Sequence, residues 1–276
     1  MPLPFDNATS WLLAGVAVVM IGIAKSGFGS GVGVVAVPLF VFAFGPGRSA
    51  DAVAALLPLL IVADIFSVHH HWGTWDRRNL RVLAAGTLVG IAIGAVVLWW
   101  LIGRPDVGWR LSGDGPAATD PRQAAERNMQ MAIGVICVLY VVADQIKARF
   151  APGFRLHAGY LSGSAAGAVA GVTTTIAHAA GPIIMIYLLG QHLAKQRFIG
   201  TAVIYFFTVN LFKQATVYPV LGLTRLETLV PGLWLVPLVP LGTWLGLRLN
   251  RWMSDRLFRI TVLVITFASG IKLIVG

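Results

Sequence analysis

Apolar runs long enough to cross a bilayer recur from one end of this chain to the other. A hydrocarbon core needs about 20 consecutive apolar residues of α-helix to span it, so runs of this kind predict membrane helices. Composition agrees. Of 276 residues, 57% are hydrophobic and only 12% are charged, with a mean hydropathy of +0.79. A soluble domain carries about twice that charged fraction. The formal charge of +10 does not mark a nucleic-acid binder, because the bases lie in short loops between apolar segments and form no continuous stripe. The single cysteine, Cys137, lies inside an apolar run and excludes an intramolecular disulfide framework. Residues 1–10 have no basic start, so the sequence predicts no cleaved signal peptide.

Ten apolar segments are legible, at about 11–25, 31–45, 50–70, 80–102 and 128–148, then 156–172, 178–191, 197–218, 228–249 and 256–275. A polar loop at 103–127 interrupts the first series. The two series match in order and loosely in residues. Asp64 in the third segment stands where Asn210 stands in the eighth. Thr74 to Leu80 corresponds to Leu223 to Leu229, and Gln145-Ile146-Lys147 to Gly270-Ile271-Lys272. The expected fold is therefore an all-α polytopic membrane protein of two repeats. Residues 1–102 with 128–150 form the first repeat and 151–276 the second. An odd number of crossings per repeat turns the second upside down, which predicts inverted repeats.

In both series the first two segments are short and meet at a polar, glycine-containing break. One break runs from Ala24 to Gly33 and holds Lys25, Ser26, Gly27, Gly29 and Ser30. The other runs from Gly171 to Pro182 and holds Thr173, Thr174, Thr175, His178 and Gly181. Broken segments at matching places in two halves point to a transporter site near the bilayer midplane. Non-helical backbone survives at that depth only inside protein or beside a cavity. Each pair of short segments is either two tilted crossings or one re-entrant hairpin.

The chemistry at these breaks suits an anion. Lys25 brings charge, Ser26 and Ser30 bring hydroxyl donors, and freed N–H groups at a half-helix start add more. The plainer alternative for Lys25 is that it snorkels to the interface. Thr174 and Thr175 are anion donors in one reading and helix–helix hydrogen-bonding residues in the other. His178 changes charge near neutral pH, so its protonation is expected to strengthen anion binding. Asp64, Asn210 and Lys213 lie within apolar segments, where ionisable groups are functional candidates by default. Asp64 is expected to pair with Lys25 or Lys213, in a coupling role or as a structural ion pair.

Basic residues orient the chain. Arg77, Arg78, Arg81, Lys147, Arg149, Arg155, Lys195, Arg197, Arg248, Arg251, Arg256 and Arg259 fall on one side, against Arg48, Arg225 and Lys272 on the other, where the long loop adds Arg104, Arg110, Arg122 and Arg127 offset by Asp106, Asp114, Asp120 and Glu126. The positive-inside rule makes the first side cytoplasmic, which leaves both termini and the 103–127 loop extracytoplasmic. An intramembrane serine hydrolase using Ser162 or Ser164 with His178 is the rival class. Close packing of small residues accounts better for those serines. No nucleotide-type phosphate loop is present, so direct ATP coupling is unsupported and no cofactor or metal is expected.

The stretch Gly27-Phe28-Gly29-Ser30-Gly31-Val32-Gly33-Val34-Val35-Ala36-Val37-Pro38-Leu39 resembles a motif of the TauE/SafE sulfite-exporter family, also known as the toluene-sulfonate uptake permeases. Ala179-Ala180-Gly181-Pro182, followed by Tyr187-Leu188-Leu189, resembles its second motif. The second departs from the usual glycine cluster, with alanines at 179 and 180 and His178 before them. The resemblance covers nearly the whole chain. It implies a multi-pass transporter of the bacterial inner membrane, with sulfite, organosulfonates or related small sulfur-containing anions as substrate. Outward transport is the expectation; an uptake permease or carboxylate carrier is the alternative. The lipid bilayer and the anion are the implied partners, and monomer and homo-oligomer both stay open.

Overall fold

A computed structural model describes residue 5 and residues 7–25, 34–103, 121–150, 159–252 and 255–276. Among the described residues the fold is all helix, with no strand. In chain order the helices are α1 (Ala8–Ile23), α2 (Ala36–Phe44), α3 (Ser49–His70), α4 (Arg77–Gly103), α5 (Pro121–Phe150), α6 (Tyr160–Ala177), α7 (Gly181–Leu189) and α8 (Lys195–Phe212). They continue with α9 (Tyr218–Val220), α10 (Leu226–Trp234), α11 (Leu238–Trp252) and α12 (Asp255–Val275). Among the described residues, four stretches are long and apolar enough to cross a membrane: Ser49–His70, Arg77–Ile102, Gln123–Phe150 and Lys195–Val220. Ala8–Ile23 and Ile260–Val275 are shorter apolar helices. This is a multi-pass membrane protein.

The expected short segments are present as short helices. α2 and α7 have nine residues each. At 1.5 Å per residue each is about 14 Å long, about half the thickness of a hydrocarbon core. The second break is narrower than the sequence suggests. α6 continues through Ala177, so Thr173, Thr174 and Thr175 lie in its last turns, and only His178 to Ala180 separate it from α7. Two of the threonine hydroxyls are satisfied within the helix: that of Thr175 donates to the Gly171 carbonyl at 2.8 Å and that of Thr173 to Val169 at 2.9 Å. Thr174 is held from α8, as described below.

The segment expected at 228–249 is split. α10 ends at Trp234 and α11 starts at Leu238, with the chain between them held by tight three-residue hydrogen bonds such as Leu238 N–H to Leu235 O at 2.9 Å. Pro237 is the cause. It has no N–H to donate, and its ring clashes with the carbonyl four residues back.

The helices are assembled along glycine seams. Gly86 and Gly90 of α4 meet backbone carbonyls of Ser164 and Ala168 of α6, and Gly94 meets Val172. From the other side, Gly163 of α6 is filled against Val82 and Tyr187, while Gly167 and Gly171 meet the carbonyls of Leu83 and Thr87. A second seam joins α1 to α11: a Cβ on Gly22 would lie 2.7 Å from the Gly242 Cα. A third joins α5 to α12, where a Cβ on Gly134 would lie 2.8 Å from the Gly270 carbonyl oxygen. Lipid tails are as apolar as leucine, so membrane helices associate by such close backbone approach rather than by hydrophobic burial. α3 runs through the middle, with Ala52 to Leu57 buried and neighbours in α2, α8 and α10.

α5 ties the ends together. The Glu126 carboxylate accepts from the Ser49 N–H at 3.0 Å and from the Ser49 hydroxyl, satisfying free donors at the start of α3. The next residue, Arg127, donates to the Leu273 carbonyl at 3.1 Å and to that of Ile274, satisfying acceptors at the end of α12. Arg48 and Asp51, at the start of α3, form an exposed ion pair at 3.8 Å.

Candidate functional site

Two helix ends and two long helices converge on a buried polar cluster. α1 continues beyond Ile23 through Ala24 and Lys25 in π-helical geometry, which carries the Lys25 side chain inward. Its ammonium forms an ion pair with Asp64 of α3 and donates to the Leu60 carbonyl at 3.2 Å. The Lys25 side chain is 10% exposed and that of Asp64 is 2% exposed. Lys25 is therefore a buried, paired group and does not snorkel. Of the two partners open to Asp64, the carboxylate contacts Lys25. Its second oxygen accepts from the Asn210 amide of α8 at 2.8 Å.

Lys213 is three residues beyond Asn210, at the start of a five-residue π-helical turn, Lys213–Val217. Single π turns inside α-helices frequently occur at functional sites. Lys213 is fully buried. Its ammonium donates to the Thr174 carbonyl at 2.8 Å, the Thr174 hydroxyl at 2.9 Å and His178 Nδ1 at 3.0 Å. Three N–H groups thus meet three acceptors, which is what burial of an ammonium requires.

His178 terminates α6. Its backbone is left-handed, with φ 49° and ψ 30°, and its N–H returns to the carbonyls of Thr173 and Thr174. For a residue with a Cβ this costs roughly 1–2 kcal/mol. The ring is held at both nitrogens: Nδ1 faces Lys213, and Nε2 lies 2.9 Å from the Val53 carbonyl of α3. A carbonyl only accepts, so Nε2 carries the proton. Nδ1 then accepts from Lys213, and the ring is the neutral tautomer whenever Lys213 is charged. A doubly protonated ring would turn an N–H towards the ammonium. This geometry opposes the expectation that a protonated His178 strengthens anion binding. Pro58, one turn after Val53, interrupts the α3 hydrogen-bond ladder nearby by leaving the Ala54 carbonyl without its usual donor.

Of the residues singled out in the sequence, Lys25, Asp64, Asn210, Lys213, Thr174 and His178 come together. Thr175 and Gly181 adjoin the cluster, though the Thr175 hydroxyl is used within its own helix and the Tyr218 hydroxyl bonds its carbonyl at 3.3 Å. Ser26, Gly27, Gly29 and Ser30 lie outside the described residues, as does most of the 103–127 loop. Ser162 and Ser164 do not join His178. They sit near the start of α6, bonded to the Gly159 and Val82 carbonyls. Along the helix they are about 20 Å from its end.

A small cavity of about 30 Å³ adjoins the Lys25–Asp64 pair, lined also by Ser67, Met185, Ala202 and Phe206. The sequence did not single out Ser67, although it lies three residues after Asp64 on the same face of α3, a spacing that marks helix neighbours. A network nearer the helix ends was also missed. The Tyr187 hydroxyl donates to Asn79 at 2.8 Å, Asn79 donates to Asp76, and the Asp76 N–H donates to Thr201 at 2.8 Å. These residues fasten the start of α4 to α7 and α8.

An all-helical multi-pass membrane protein with buried charge at two helix breaks has the architecture of a small-solute transporter. The family model for the sulfite exporter TauE/SafE matches residues 13–273, nearly the whole chain, and the chain belongs to that family. It is a family of transporters and not of enzymes. No curated protein and no solved structure matches the chain.

Proposed function

We propose that this chain is a secondary transporter that exports sulfite, organosulfonates or related small sulfur-containing anions across a bacterial inner membrane. The observation that carries the reading is the charge of the buried cluster. Lys25 and Lys213 bring two amine groups to the cluster, and among the described residues Asp64 is its one carboxylate, in contact with Lys25. The His178 ring is neutral in the geometry described. With Lys213 protonated, as three acceptors around its Nζ allow, one positive charge is left over, which suits a monoanion. At an effective dielectric of 20 and a separation of 5 Å such a charge is worth roughly 3 kcal/mol to an anion. Lys25, Thr174, His178 and Lys213 would be the recognition groups, joined by Ser26, Ser30, Thr175 and the backbone at Gly27, Gly29 and Gly181.

An inverted repeat supports the same reading. The helix pairings α1 with α11 and α4 with α6 exchange under the proposed symmetry, while α3 with α8 and α5 with α12 are their own counterparts. With both termini and the 103–127 loop outside, the inside-negative potential drives an anion outward by about 2.3 kcal/mol per 100 mV. Export then needs no coupling ion. The hydrolase alternative loses its geometry, because Ser162 and Ser164 are at the wrong end of α6.

The direct test is flux of labelled sulfite and methanesulfonate from sealed proteoliposomes, with acetate for comparison. Export of sulfite or the sulfonate, accelerated by an outside-positive potential, is the expected result. Movement of acetate alone would replace the substrate class. Orientation is checked separately: a cysteine introduced at Gly113 is expected to react with an impermeant reagent in intact cells, and reaction only after the membrane is opened reverses the topology.

A further inference from the structure

We infer that Asp64 is a built-in stand-in for the transported anion, and that the anion binds by displacing its carboxylate from Lys25. The inference rests on the proposed anion transport and adds how the site is loaded and emptied. Both oxygens of the carboxylate are engaged by donors from other helices: the Lys25 ammonium on one, the Asn210 amide on the other. An ammonium and an amide converging on two oxygens of one planar anion are also what an incoming oxyanion requires. With Asp64 in place, those donors are taken.

Space leads to the same conclusion. The cavity beside the pair, about 30 Å³, has room for about two waters. The Lys25–Asp64 pair forms part of its wall, so an anion of four or five heavy atoms gains room when the carboxylate withdraws. Withdrawal of the carboxylate frees both the volume and the donors. A second cation is ready for it. Lys213 stands one turn along α8 from Asn210, on the same side of the helix, and its three hydrogen-bond acceptors are all neutral. A displaced Asp64 can move along α8 towards Lys213 while the anion takes Lys25. The other titratable group of the cluster is His178, held between Lys213 and Val53.

The exchange gives the two states different charge. Empty, the cluster has two ammonium groups and one carboxylate. Loaded with a monoanion, a sulfonate or hydrogensulfite, it has two positive and two negative charges and is neutral. Asp64 is then an internal competitor whose return expels the anion, so it weakens binding and speeds release.

The experiment compares the full-length wild type with Asp64→Asn, which keeps the shape and removes the competing charge. Binding of sulfite and methanesulfonate is measured by calorimetry in detergent, and turnover in proteoliposomes. The expected result is binding at least about tenfold tighter in Asp64→Asn, with slower turnover because nothing drives the anion off. A carboxylate with only a structural role predicts weaker binding on its removal. Equal or weaker binding by the variant, while the wild type binds, overturns the inference and leaves the transport reading standing. A wild type that neither binds nor moves either anion rejects the transport reading itself. Removal of Asp64 leaves Lys25 unpaired, so the variant is purified with and without millimolar sulfite. Rescue of folding by sulfite supports the displacement, and a variant that stays unfolded in sulfite counts against it.

Discussion

Lys25 and Lys213 are two lysines buried within one cluster by opposite means. Lys25 ends a short helix beside a glycine-rich break and is neutralised by direct contact with Asp64. Lys213 opens a π turn inside a long helix and is surrounded by a carbonyl, a hydroxyl and an imidazole. The first arrangement cancels charge. The second satisfies hydrogen bonds and leaves the charge in place. Burial of an ammonium therefore does not by itself reveal how much field it projects. That is decided by whether its acceptors are charged: those of Lys25 include a carboxylate and those of Lys213 do not.

This comparison breaks most sharply at Asp64. Asp64→Ala leaves Lys25 buried without a counter-charge, a loss on the order of 3–5 kcal/mol. Adding Lys25→Met to it is expected to recover much of that loss. Thermal unfolding in detergent measures both, and an Asp64→Ala protein as stable as the wild type would mean that the pair is solvated after all. A smaller effect is expected on the other side. Lys213→Met removes the donor from three neutral acceptors, which costs about 1–3 kcal/mol. Here neutralising Asp64 in addition should give no recovery, since the two do not share a direct bond; recovery as large as in the first cycle would make the two lysines equivalent. The smallest effect separates backbone from side chain at His178. His178→Gly and His178→Ala both lose the ring, but only glycine is relaxed at φ 49°. The glycine variant should be the more stable by about 1 kcal/mol, and identical melting temperatures would rule out the left-handed cap.

Much of this site was legible because ionisable residues are rare in apolar segments and thus conspicuous. Lys25, Asp64, Lys213 and His178 each stand out in the sequence for that reason. The partner choice of Asp64 was not legible, because two lysines met the same criterion and only the packing of α1 against α3 decides between them. The Val53 acceptor was invisible for a different reason: a backbone carbonyl has no residue-specific signature, and only Pro58 one turn later hints at a disturbed ladder. Helix order was read correctly from apolar length. The ends were less accurate, since three threonines in a row suggested a break, whereas two of them bond back to the preceding turn and the third is held by Lys213 within a continuous helix. The division between α10 and α11 did have a signal, in Pro231, Pro237 and Pro240. Three prolines within ten residues outweigh the continuous hydropathy of the segment.

The glycine seams also set a timetable for biosynthesis. α4 meets its partner α6 soon after both have been made. α1 is made well before its partner α11, with α2 to α10 in between. About 220 residues separate Gly22 from Gly242, which at 5–20 residues per second is a delay of roughly 10–40 s. During that interval the small-residue face of α1 stands in lipid with its intended neighbour still untranslated. The nascent membrane protein must hold a half-assembled bundle open until α11 arrives, and any other chain with a glycine-lined helix can compete for that face in the meantime.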